Sequence, residues 1–213
     1  MNVWVAVRVV TGADQDLQRA IAVARIEAGN PELAVRVTDL IHEDGRVAVV
    51  MEKYAEGDVR TAAARVPGDV PELFLAACRP LERYHAQQFV HLNLRPSKLL
   101  VGHEGHVVFA DPLLRDTLIP TTKGTEVPPC RHPSAPPEMH EGGTVDERAD
   151  VYGLACTLED ALADLTPALT GAGARVRAEL TRARAPEPNA RHRNVGELKE
   201  ALRLAFEADA QHH

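Results

Sequence analysis

The sequence is short of cysteine, short of net positive charge and without a long apolar run, and each shortage argues against a class of protein. Its three cysteines, Cys78, Cys130 and Cys156, stand far apart with no C-x-x-C spacing. That pattern argues against a disulfide framework or a cysteine-built zinc site and predicts a reducing, cytoplasmic setting. Lys and Arg number 24 against 31 Asp and Glu, a formal net charge of −7. The sign is wrong for a generic nucleic-acid binder. The opening MNVWVAVRVV is too short to span a membrane and lacks the basic start of a secretion signal. What is present is a 213-residue chain with 45% hydrophobic residues, enough for one globular unit of at most two small lobes.

Local patterns predict an α+β chain. Val3–Val10 is β-branched and bounded by Thr11-Gly12, so it reads as a strand. Asp14–Ala28 places Leu17, Ile21 and Ala24 at helical spacing and marks them as core. Strands follow at Ala34–Ile41 and Arg46–Met51, joined by the turn His42–Gly45. Leu73, Ala77, Leu81 and Tyr84 form a helical stripe in which Pro80 predicts a kink or break. Leu99–Val101 and Val107–Phe109 form a small hairpin, with His103 and His106 at a solvated tip. Pro112–Gly143 is expected to be mostly irregular, with Cys130-Arg131-His132 in an exposed loop. Helices resume at Glu147–Leu165, Ala174–Ala185 and Val195–Ala208.

The informative run is Val90-His91-Leu92-Asn93-Leu94-Arg95-Pro96-Ser97-Lys98-Leu99-Leu100-Val101. It resembles the protein-kinase catalytic loop, H-R-D-L-x-x-x-N followed by an apolar strand. The likeness continues in order along the chain. Phe109-Ala110-Asp111-Pro112-Leu113 stands where kinases carry D-F-G, and Pro136-Pro137-Glu138 where A-P-E closes the activation segment. Asp150-Val151-Tyr152-Gly153-Leu154 is similar to the start of the central helix of the large lobe, and Pro188-Asn189-Ala190-Arg191 to the motif before the last helix. Upstream, Val5-Ala6-Val7-Arg8 resembles V-A-I-K, and Met51–Tyr54 lies at the hinge equivalent. The resemblance implies a bilobal kinase-like fold, with residues 1–54 as a reduced small lobe of about three strands and one helix and residues 55–213 as a mainly helical large lobe.

The departures from that family fall on its chemistry. Asn93 replaces the aspartate that accepts the substrate proton, and Lys98 replaces the asparagine that holds magnesium. Arg8 replaces the phosphate-gripping lysine, with no carboxylate in the matching helical stretch Arg19–Ile21. Arg95 counts with Arg8, Asn93, Lys98 and Asp111 among the degenerate positions. Asp111 alone matches a metal ligand, and it is followed by Pro112-Leu113 rather than Phe-Gly. The Gly-rich loop and its two strands have no counterpart, and the substrate-docking region after Leu165 is shortened. The resemblance therefore implies an N-terminally truncated pseudokinase without cofactor or metal.

By contrast, the resemblance assigns His91 and Asp150 to the pair that braces the catalytic loop, and Glu138 and Arg191 to a buried ion pair. Retained architecture with missing chemistry predicts a protein-interaction or regulatory scaffold. Its surfaces are the Pro-rich segment Ile119–Pro137 and a free edge at Val3–Val10 that a partner completes. Two alternatives stay open: a nucleotide-sensing pseudokinase, and a weak atypical phosphotransferase using Asp111. Asn93 reads either as a loop residue capping its own backbone or as a residual substrate-orienting group, and Asp111 as structural before metal-binding. The local cluster Arg175, Arg177, Arg182, Arg184, Arg191 and Arg193 reads mostly as a solvated face, with contact to an acidic partner or phosphate as the alternative. His212-His213 is native or a tag remnant.

Overall fold

Three seven-residue strands form the first sheet in this computed structural model, which describes residues 5–11, 18, 21, 25, 34–110, 125–127 and 129–211. They are β1 (Val5–Thr11), β2 (Val37–Glu43) and β3 (Arg46–Glu52), antiparallel and in the order β1-β3-β2. Period-two alternation in β3 buries Val47, Val49 and Met51 on one face. Asp44 and Gly45, both with positive φ, make the tight turn between β2 and β3. The strand begins at Val37 rather than Ala34 because its first residues pair elsewhere. Ala34 forms a parallel bridge to Phe109, and Val35 N–H donates to the Phe109 carbonyl at 2.9 Å. Of the helix expected over Asp14–Ala28, Gln18, Ile21 and Arg25 are described and helical. Ile21 packs against the sheet, whereas Leu17 and Ala24 lie outside the described residues.

The second sheet is short: β4 (Gly57–Asp58), β5 (Leu99–Val101) and β6 (Val107–Phe109), in that order. Strand β6 faces two cores. Val107 and Phe109 join the helical core, while Val108 and Ala110 join the core beneath the first sheet. Helix α1 (Val59–Arg65) starts where the Asp58 carboxylate accepts the Thr61 N–H at 2.8 Å.

Helix α2 (Val70–Ala86) runs through Pro80 without interruption, which corrects the expected break. Proline removes one backbone bond, but Phe74, Cys78 and Leu81 on either side are fully buried. Burying Phe74 and Leu81 contributes roughly 1.5–3 kcal/mol each, enough to hold the helix together across a defect of about 3 kcal/mol.

The stretch Pro112–Gly143, expected to be mostly irregular, holds one strand, β7 (Thr125–Val127), which pairs with β8 (Gly143–Val145) at its end. Four helices follow. Helix α3 (Glu147–Leu162) stops three residues short of expectation. Helix α4 (Pro167–Thr170) is one turn ended by Gly171 at φ 65°. The last two are α5 (Ala174–Ala183) and α6 (Val195–Ala210). The architecture is α+β with small antiparallel sheets, consistent with a reduced kinase-like bilobal fold.

Candidate functional site

The loop joining α2 to β5 carries the residues that the sequence singles out. The buried stripe of α2 ends at Tyr84 and His85, and the chain then turns through Gln88 and Leu92, both at positive φ. A left-handed backbone is costly for leucine, by about 1–2 kcal/mol. What holds it is Asp150, in the first turn of α3, whose side chain is wholly buried. Its carboxylate accepts the backbone N–H of His91 and of Leu92, each at 2.7 Å, and meets His85 Nε2 at 2.9 Å. Burial pushes the Asp150 carboxyl up, but the His85 hydrogen bond, the nearby His85 and His91 rings and the His91 N–H outweigh it and hold it below its ordinary value.

His91 therefore meets Asp150 through its backbone, not its ring. The ring is fully buried between Tyr84 and Phe109, at centroid distances of 5.9 and 5.2 Å. Burial lowers its pKa to about 4, against the opposing pull of Asp150. The neutral ring accepts the Asn93 N–H at Nδ1, at 3.3 Å, so its own proton sits on Nε2. Sequence reasoning missed His85. Its signal was a polar residue four positions after Leu81, on the buried stripe.

Asn93, Arg95 and Lys98 are half-buried on this braced loop. Arg95 lies close enough to lower the His132 pKa, though burial is the larger cause. The Lys98 carbonyl accepts the Ala110 N–H at 2.9 Å, which brings the residue before Asp111 beside the loop. Asp111 itself, with Pro112 and Leu113, lies outside the described residues. Arg8 sits half-buried on the same β1 face as Ala6 and Val10. The loop's donor set, a neutral amide and two cations, does not suit a divalent metal ion. Among the described residues no group of three or more His, Cys, Asp or Glu side chains is placed to hold one.

A second constellation packs under the β7–β8 ladder. Arg191 donates to both Glu138 oxygens, at 2.6 and 2.8 Å, and to the carbonyls of Ala185, Pro186 and Arg148. Its guanidinium lies 4.9 Å from the Tyr152 ring centroid. The first turn of α3 joins the two constellations: Arg148 offers its carbonyl to Arg191, and two residues on Asp150 grips the loop. Arg191 thus departs from the solvated face expected of its cluster, being buried, whereas the remaining arginines fit it. Arg184 pairs with Glu159, Arg182 with Glu179 and Arg193 with Glu197.

No protein-family model matches the chain. It is 27% identical over 123 residues to mitogen-activated protein kinase kinase 1 of Arabidopsis thaliana, covering 55% of this chain and 34% of that protein. It is 26% identical over 165 residues to the serine/threonine-protein kinase PknB of Mycolicibacterium smegmatis, covering 76% and 23%. It is 25% identical over 186 residues to ribosomal protein S6 kinase 2 alpha of Xenopus laevis, covering 81% and 24%. The matched region thus spans about a quarter to a third of the length of these relatives. The chain is protein kinase-like in sequence, and its fold agrees.

Proposed function

We propose that this chain is a catalytically inactive, kinase-like module that works as a protein-interaction or regulatory scaffold. The observation that carries this reading is the content of the braced loop. Asn93 and Lys98 occupy the positions of the catalytic aspartate and the metal-binding asparagine. Phosphoryl transfer depends on metal ions and a placed carboxylate acting together. A neutral amide lacks the basicity, and a lysine ammonium repels the cation. Meanwhile Asp150 and the Glu138–Arg191 pair keep the loop and the segment after it in a defined shape. These three residues, with His91, serve structure in this reading.

The module divides at about residue 54 into a reduced small lobe and a large lobe, with β6 packing against both cores. A protein partner completes the first sheet along Val3–Val10. Support comes from the strand order, which leaves β1 at the edge among the described residues, and from Val5, Val7 and Val9, which are 45%, 55% and 60% exposed. No helix among the described residues is long and apolar enough to cross a membrane. Cys78, Cys130 and Cys156 are free, which suits a reducing compartment.

Thermal-shift titration with ATP, with and without magnesium or manganese, tests the reading. The scaffold assignment expects no metal-dependent shift. A shift without turnover favours a nucleotide sensor, and a shift with transfer lost in Asp111→Ala favours an atypical phosphotransferase.

A further inference from the structure

We propose that a small cavity between α2 and the β5–β6 turn binds one hydrogenphosphate ion. The cavity measures about 110 Å³, with Ala76, Arg79, Pro80 and Arg83 of α2 on one side and Gly105 and His106 of the turn on the other. That volume exceeds the roughly 10–15 Å³ that one water needs and falls short of the roughly 300–1,000 Å³ of a site for a larger organic ligand. It suits a single small ion. The site goes beyond the scaffold reading and does not depend on it, since none of these residues belongs to the braced loop.

The charge around the cavity is of one sign. Residues 76, 79, 80 and 83 recur at helical spacing, so one face of α2 carries both arginines. Gly105, at φ 72°, makes the tight turn that brings His106 to the opposite wall. No acidic side chain lines the cavity among the described residues. Of the two acids on α2, Glu82 is paired with Lys199 at 2.8 Å, and Glu72 lines a separate, larger cavity. Arg79 is exposed and forms no ion pair among the described residues. In a chain of net charge −7, a hollow walled only by cationic and neutral groups favours an anion locally and excludes a metal ion. The arginine fork matches the oxygens of a tetrahedral oxyanion, and the His106 ring adds a further donor.

One wall calls for a donor on the ion itself. Pro80 has no N–H, so the Ala76 carbonyl lacks its helical donor from residue 80. Both residues line the cavity. Hydrogenphosphate brings oxygens for the arginines and one O–H for this carbonyl. Sulfate carries no proton and leaves the carbonyl facing negative charge without a hydrogen bond. A doubly ionised phosphate ester lacks the proton as well. The arginines thus select an oxyanion, and the acceptor freed by proline selects the protonated one.

Calorimetric titration of the full chain with orthophosphate, sulfate and O-phosphoserine, above neutral pH and at constant ionic strength, tests this. The expected result is saturable binding of one orthophosphate per chain, at least tenfold tighter than sulfate or O-phosphoserine. Arg79→Gln is expected to weaken orthophosphate at least tenfold. Pro80→Ala returns to the Ala76 carbonyl its helical N–H, with a residue that suits a helix. It is expected to bring orthophosphate down to the level of sulfate while leaving sulfate unchanged. Each variant's melting curve without anion checks its fold. Absence of saturable binding, equal affinity for orthophosphate and sulfate, tighter binding of O-phosphoserine, or affinity unchanged in both variants overturns the proposal.

Discussion

Arg191 grips Glu138 with two parallel hydrogen bonds, 2.6 and 2.8 Å long, across 53 residues of sequence. The arginine side chain is 0% exposed and the glutamate 18%. The pair is thus buried on the cation's side, and the two residues are not equivalent as targets.

Removing the carboxylate strands a buried guanidinium. Glu138→Gln is expected to lower unfolding stability by about 3–5 kcal/mol, read as a shift of the urea midpoint. Arg191→Met leaves a carboxylate that reaches water but also strips the donor from the Ala185, Pro186 and Arg148 carbonyls, so it is expected to cost at least as much. Equal, small losses in both variants would contradict the buried-pair account.

Acid should loosen the loop before it unfolds the rest. His91 has its pKa lowered from 6.5 to about 4, by burial first. Between those values the unfolded chain binds the proton and the folded chain does not, so stability rises with pH across that window. The His91 contribution is complete above about pH 6.5 and falls by about 3 kcal/mol as pH drops to 4. Asp150, held below its ordinary value, adds a loss at still lower pH, because its stabilisation disappears as the folded carboxylate takes up a proton. His192, also lowered mainly by burial, acts in the same direction as His91. Urea midpoints from pH 4 to 7 are expected to climb steeply in the native chain and less steeply in His91→Gln. Parallel curves would refute the assignment.

Parts of this fold are legible in the sequence because the relevant physics is local. Alternation marks β3, and β-branched or aromatic residues around a turn mark the β5–β6 hairpin. Apolar spacing marks α3 and α6. What escaped depends on distant partners. The β7–β8 ladder joins Thr125 to Val145 through a segment rich in proline and glycine. The bounds of helix α1 escaped, because seven residues are too few for a period to show. Pro80 is tolerated because the core around it decides the matter, which local propensity cannot report. At the site, the motif spacing brought out Asp150 and Arg191. The contact of Asp150 with His85, on a different helix 65 residues away, carried no motif.

The edge of β1 offers a kinetic test. In an edge strand the amides that face away from β3 have no bonded neighbour. Hydrogen exchange on the isolated chain is expected to be fast at alternate residues of Val5–Val10 and slow at Val47 and Val49 within β3. Uniform strong protection along β1 without a partner would remove the argument that a partner completes this sheet.

The central claim is that a kinase-like scaffold has been kept while its chemistry has been lost at Asn93 and Lys98. The most direct measurement is transfer of labelled phosphate from ATP, with magnesium or manganese, to the chain itself and to a generic protein substrate. The account predicts no transfer above the background of an Asp111→Ala control. Transfer that depends on the metal and disappears in that control would contradict it.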